Sequence, residues 1–133
     1  MTKMTIEEIK DVLKTFHGTR DYWVNTNYSR DVHTDGVHWL ADVCGAFWLI
    51  DAIQSHQMYL PVRQQDFQLW TLVVAENKSA TLTCTNGNDN SPIISQQVIP
   101  YTDFPLDKIE LYMVRGSLDG LHSAWVLKLP SEN

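Results

Sequence analysis

Several features that often reveal a function on sight are missing from this chain. It has only two cysteines, Cys44 and Cys84, and they lack the C-x-x-C spacing of a redox pair or zinc knuckle. No apolar run approaches the roughly 18 residues that a membrane span requires. No charged n-region followed by an apolar h-region opens the sequence, so "MTKMTIEEIK" reads as a polar helix start. The expected location is therefore cytoplasmic, with both thiols reduced and buried. The six glycines are isolated from one another, which excludes a Gly-rich phosphate cradle, and no G-x-S-x-G elbow occurs. Basic charge is scarce as well: ten Lys and Arg face sixteen Asp and Glu, giving a net charge of −6. No two basic residues are adjacent, so the footprint of a nucleic-acid binder is missing.

What remains is an ordinary globular composition, 44% hydrophobic and 20% charged, in 133 residues. That is one domain's worth of chain, able to bury a real core without a disulfide or metal staple.

Periodicity divides the chain into helices first and strands afterwards. Residues 5–17 place Ile6, Ile9, Val12, Leu13 and Phe16 at helical spacing. Thr5 and Glu8 stand at capping-box distance, and Gly18 is a candidate left-handed stop. Residues 19–37 read as a connection with one short extended piece at Tyr22–Val24; Tyr22, Trp23 and Tyr28 are expected to cover an edge of the core. A second helix is expected over 35–56, capped by Thr34 or Asp35. Its first half is amphipathic and its second half apolar nearly all round, with Gly45 at the change, where a neighbouring backbone can come close.

After Pro61 the period becomes two. Five strands are expected at 67–75, 79–85, 93–99, 108–114 and 123–129, separated by turn-forming Asn, Asp, Gly and Pro. The fold class is thus α+β, a single domain over 1–133 with two helices on one face of an antiparallel sheet of about five strands. Trp70, Leu72 and Val74 oppose Leu69 and Val73, and Tyr112, Val114 and Val126 repeat the pattern. Apolar residues on both faces call for a second cover, such as another copy of the chain.

One residue breaks the pattern. Asp51 lies within "GAFWLIDAIQSHQ" (45–57), and on a continuous helical wheel it shares a side with Leu40, Cys44 and Phe47. A carboxylate buried there must be paired, hydrogen-bonded or protonated. The favoured reading is structural, with Trp, Tyr, Arg or backbone donors satisfying it. The functional one pairs Asp51 with His56 or His122 as acid and base in a cleft lined by Trp48 and Trp125. His33, Asp35, His38 and Asp42 lie close in sequence, and His38 with Asp42 at i, i+4 is the best metal pair available. A solvated helix face explains them better, so no metal or cofactor is expected. "TNGNDN" (85–90) reads as a surface turn.

The run 33–57, with "TDGV" (34–37) and "GAFWLID" (45–51), together with "FHGT" (16–19) upstream, resembles the signature of a family of small uncharacterised bacterial proteins, a domain of unknown function. Members are often found in cyanobacteria and on mobile elements. The resemblance implies a self-standing cytoplasmic domain and transfers no catalytic role to any position.

With no catalytic motif and an acidic surface, the expected mode of action is self-association or binding of a protein partner, not catalysis. A small enzyme or ligand-binding protein with its pocket between the central helix and the sheet is the first alternative. A mobile-element-borne modulator that blocks a basic host protein with its acidic face is the second.

Overall fold

The computed structural model describes residues 4–24, 31–88, 90–118 and 121–132, with the side chains of 116–118 and 121–124 left aside. Helix α1 (Ile6–Leu13) opens on the expected capping box: the Glu8 amide donates to Thr5 Oγ1 at 3.1 Å, and the Thr5 amide to Glu8 Oε1 at 2.9 Å. It ends well before Gly18, which is not in the left-handed region. The Thr15 amide and hydroxyl both turn back onto the Val12 carbonyl, at 2.9 and 2.6 Å, tightening the chain into a turn. Phe16 then packs its ring on Trp39 with centroids 6.0 Å apart.

The expected central helix is two helices. Helix α2 (Asp35–Cys44) is capped by Thr34 and ends at Gly45, whose φ of 62° and ψ of 39° are left-handed. The Ala46 amide reaches back to the Ala41 carbonyl at 2.7 Å, closing a Schellman-type end. Gly45 is needed for that positive φ and not for a close approach, since an added Cβ would meet nothing within 4 Å. Helix α3 (Phe47–His56) starts afresh with no side-chain cap. A single turn, α4 (Leu60–Arg63), follows where a plain link was expected.

All five expected strands form: β3 (Phe67–Val74), β4 (Ala80–Thr85), β5 (Ser95–Ile99), β6 (Lys108–Leu118) and β7 (Leu121–Lys128). Two short strands precede them, β1 (Tyr22–Val24) and β2 (Asp31–Thr34), and a 3-10 turn (Pro130–Glu132) follows. The sheet order is β1-β2-β7-β6-β3-β4-β5. Because β2 runs parallel to β7, the seven-stranded sheet is mixed, not antiparallel throughout. Strand β2 escapes sequence reading because "DVHT" has little strand propensity; all four of its residues are nevertheless buried.

Register puts His33, Leu127, Met113 and Gln68 in one row across the sheet, and Leu111, Trp70, Cys84 and Ser95 in the next. The buried cluster joins this face to Val37, Leu40, Leu49, Ile50 and Ile53 of the two central helices, and to Ile9 of α1. Polar groups inside it are knitted together. Gln57 and Gln68 exchange amide hydrogen bonds at 2.7 and 2.8 Å, and the Trp70 indole donates to Gln68 Oε1 at 2.8 Å. On the opposite face Val32 and Val126 are buried within the single chain, while Leu69, Tyr112 and Val114 are half-buried.

The C-terminal turn closes the fold on α2. Glu132 is buried; its carboxylate accepts from the Thr34 hydroxyl, the Gly36 amide (3.1 Å) and the Leu129 amide (3.0 Å). This is an N-terminal helix cap supplied from almost a hundred residues away in sequence, matched to the positive end of the helix. Gly36 permits the approach: an added Cβ would sit 2.6 Å from Leu129 and 2.7 Å from the Glu132 carboxylate. Glu132→Ala leaves these donors without their acceptor and is expected to lower unfolding free energy by about 2–3 kcal/mol, read by urea denaturation. A loss below ~0.5 kcal/mol would show that water replaces the carboxylate.

Candidate functional site

The break at Gly45 relocates Asp51. In α3 the buried positions are Leu49, Ile50, Ile53 and Gln54, joined by Gln57 just beyond the helix end. Asp51 shares the exposed side with Phe47 and Ser55. The continuous wheel placed it inward because it carried the phase of α2 across a residue that does not continue the helix. Of the residues expected to line the cleft, Trp125 is in the core with the Arg115 guanidinium 5.0 Å from its ring, and Trp48 is half-buried against the core. His122 falls in β7, where its side chain lies outside the described residues.

His56 is placed differently from the expected dyad. Its Nδ1 lies 2.8 Å from Ser95 Oγ, and its Nε2 lies 2.8 Å from Gln97 Oε1. Both partners belong to β5 and share its inner face, and the Trp70 ring lies 5.3 Å from the imidazole. Gln97 Oε1 can only accept, so Nε2 donates to it, and in the neutral ring Nδ1 is then the acceptor for the Ser95 hydroxyl. The result is a hydroxyl, a base and an orienting acceptor in one line.

Strand β5 is also the end of the sheet, and among the described residues nothing pairs with its outer edge. The Ala75 amide bonds to the Ser79 carbonyl at 2.8 Å, which commits odd-numbered β4 residues to β3 and Ala80, Leu82 and Cys84 to β5. Their partners are Ile99, Gln97 and Ser95, so Gln96 and Val98 turn their backbone N–H and C=O outward. The surrounding stretch "SPIISQQVIP" (91–100) carries no charge. Ile93 and Val98 are exposed, as are Met58, Tyr59 and Leu60 where α3 gives way to α4. Sequence reading missed Ser95 and Gln97, although two polar residues on the face of β5 that also carries Ile99 were a visible signal.

A second cluster gathers residues from 19–38. The Asp35 carboxylate accepts from the Trp23 indole and the Arg20 amide, both at 2.9 Å, which hold it below the usual carboxylate range. Trp23 stacks on His38 at 3.8 Å, and His38 Nδ1 lies 3.1 Å from His33 Nε2. His38 therefore faces His33 and Trp23, while Asp42 is exposed. Among the described residues no three His, Cys, Asp or Glu are arranged to hold a metal. Trp23, expected as core cover, is instead 39% exposed, Tyr22 is exposed too, and Tyr28 lies outside the described residues. Burial pushes the thiols of Cys44 and Cys84 up to about 11 and about 12, which leaves them protonated packing groups.

His33 is fully buried and its Nδ1 has no partner. Burial, reinforced by the neighbouring His38, drives it from 6.5 down to about 4. The unfolded chain thus binds a proton below about pH 6.5 that the folded chain refuses until about pH 4. Stability is expected to be flat above that window and to fall by on the order of 2–3 kcal/mol on descending through it. Asp31, raised by its own burial with Arg63 opposing, acts in the other direction. Denaturant midpoints from pH 4 to 7 in wild type and His33→Leu isolate the effect, because only the wild type should carry this slope; equal slopes would discount it.

Residues 7–133 match the model of a family of unknown function (DUF6876), and the chain belongs to that family. No curated protein and no solved structure matches it significantly. No helix among the described residues is long and apolar enough to cross a membrane.

Proposed function

We propose that this member of the family works by association, taking an extended, uncharged segment of another polypeptide onto the free edge of β5. The observation that carries the reading is the character of that edge. Natural sheets guard their end strands with Lys, inward-pointing charge, bulges or a covering element. Here the outward N–H and C=O groups of Gln96 and Val98 sit in an uncharged stretch, limited only by Pro92 and Pro100. An added strand makes main-chain hydrogen bonds along such an edge and draws its specificity from side-chain pockets beside it.

The apolar corner of Met58, Tyr59 and Leu60 supplies the second half of the surface. His56, two residues before Met58, bonds Ser95 and Gln97, so the end of α3 is anchored beside this strand. Met58 is 81% exposed and Leu60 63%. Three consecutive large side chains in water suit a partner-facing patch better than an isolated surface. Self-association is the form of this reading in which the segment comes from a second copy.

A synthetic peptide of residues 93–99 serves as the probe strand. It is expected to slow hydrogen exchange at the Gln96 and Val98 amides, with little change at the amides of β3. Val98→Pro removes one outward donor without touching the β4 ladder and should abolish the effect. Unchanged exchange at saturating peptide would overturn the proposal. Light scattering that finds dimers at micromolar concentration, lost in Val98→Pro, would identify the partner as a second copy.

A further inference from the structure

We infer that Ser95, His56 and the backbone amide of Gln96 form a nucleophile site for carboxylic esters. The inference shares with the association reading the openness of the β5 edge and the hydrogen bonds that set His56 beside it. A serine hydroxyl becomes a nucleophile when a base within about 2.6–3.2 Å takes its proton and a third group holds that base in place. Here Ser95 Oγ is 2.8 Å from His56 Nδ1, and Gln97 Oε1 fixes the ring from the other side at 2.8 Å. Ser95 is half-buried, so it combines restraint with access.

An acyl-transfer site also needs a donor where negative charge develops. The Gln96 N–H points out of the sheet edge, one residue after the nucleophile. The amide after the nucleophile supplies oxyanion stabilisation in other serine hydrolases as well. Met58 and Ile93, each two residues from His56 and Ser95 respectively, are exposed apolar side chains.

The chemistry closes without any further reagent. The Ser95 O–H proton moves to His56 Nδ1 as Oγ bonds to the ester carbonyl carbon, and the carbonyl electron pair passes to the oxygen facing Gln96 N–H. Collapse breaks the bond to the alkoxy group, which leaves as the alcohol with the proton from His56. Water then repeats the proton moves on acyl-Ser95, releasing the carboxylic acid and restoring the hydroxyl. Gln97 is a positioning residue. Being neutral, it stabilises the imidazolium less than a carboxylate does, which suits the site to activated esters rather than amides.

The test is covalent labelling with an alkyl fluorophosphonate, followed by peptide mass mapping and hydrolysis of p-nitrophenyl butyrate. A single adduct on Ser95 is expected, absent in Ser95→Ala and formed at least tenfold more slowly in His56→Gln. Gln97 is exposed, so its variants should keep the fold: Gln97→Ala should slow labelling and Gln97→Glu should accelerate it. A merely structural hydrogen bond would not produce that acceleration. No adduct on Ser95, or labelling indifferent to both Gln97 variants, overturns the inference. Strand addition is judged separately, by the exchange of the Gln96 and Val98 amides in Ser95→Ala.

Discussion

The left-handed turn at Gly45 is the constraint on which the rest depends. A left-handed residue costs an L side chain roughly 1–2 kcal/mol, and glycine alone adopts it freely. By ending α2 there, the chain restarts α3 in a new phase and direction. The new phase turns Leu49, Ile50, Ile53 and Gln54 onto the sheet and leaves Asp51 outside. The new direction carries His56 over β5, where it meets Ser95 and Gln97. One backbone torsion thus decides both which side chains form the core and which polar groups share a site.

The interior that α3 covers is not uniformly apolar. Gln57, Gln68 and the Trp70 indole satisfy one another, with the Ile53 and Val62 carbonyls taking the remaining amide hydrogens. A closed amide network of this kind fixes one alignment of helix on strand, because any slip leaves buried donors unpaired. Gln54, one turn earlier, is fully buried with neither its oxygen nor its nitrogen bonded. Nothing in the structure explains it.

Fold closure comes from the chain's far end. Strand β2 is too short and too polar to hold by itself, yet it lies beside β7 and leads directly into α2. Glu132 fastens that junction, and Gly36 leaves room for it. The first turn of a central helix therefore depends on a residue of the last turn of the chain. The β5 edge proposed for association and the closure at β2 lie toward opposite ends of the sheet, so an added strand need not disturb the cap.

Local chemistry was legible in the sequence. The Thr5–Glu8 box, the Thr34 cap and the positions of β3 to β7 follow from side-chain reach and from periods of 3.6 and 2, which neighbouring residues carry between them. The same reading set Cys44 and Cys84 as buried packing groups. What it missed required distant partners or a change of phase. Strand β2 exists because β1 and β7 pair with it, not because Asp, Val, His and Thr favour extension. Asp51 was misplaced because a helical wheel is valid only while the helix is unbroken, and composition does not reveal whether a glycine bends or breaks it. His56 stood out in the sequence as a candidate, but the partners it meets, Ser95 and Gln97, lie about forty residues away on another element. Sequence fixes local periodicity because adjacent residues share one backbone path; tertiary structure alone decides which distant side chains come within hydrogen-bonding reach.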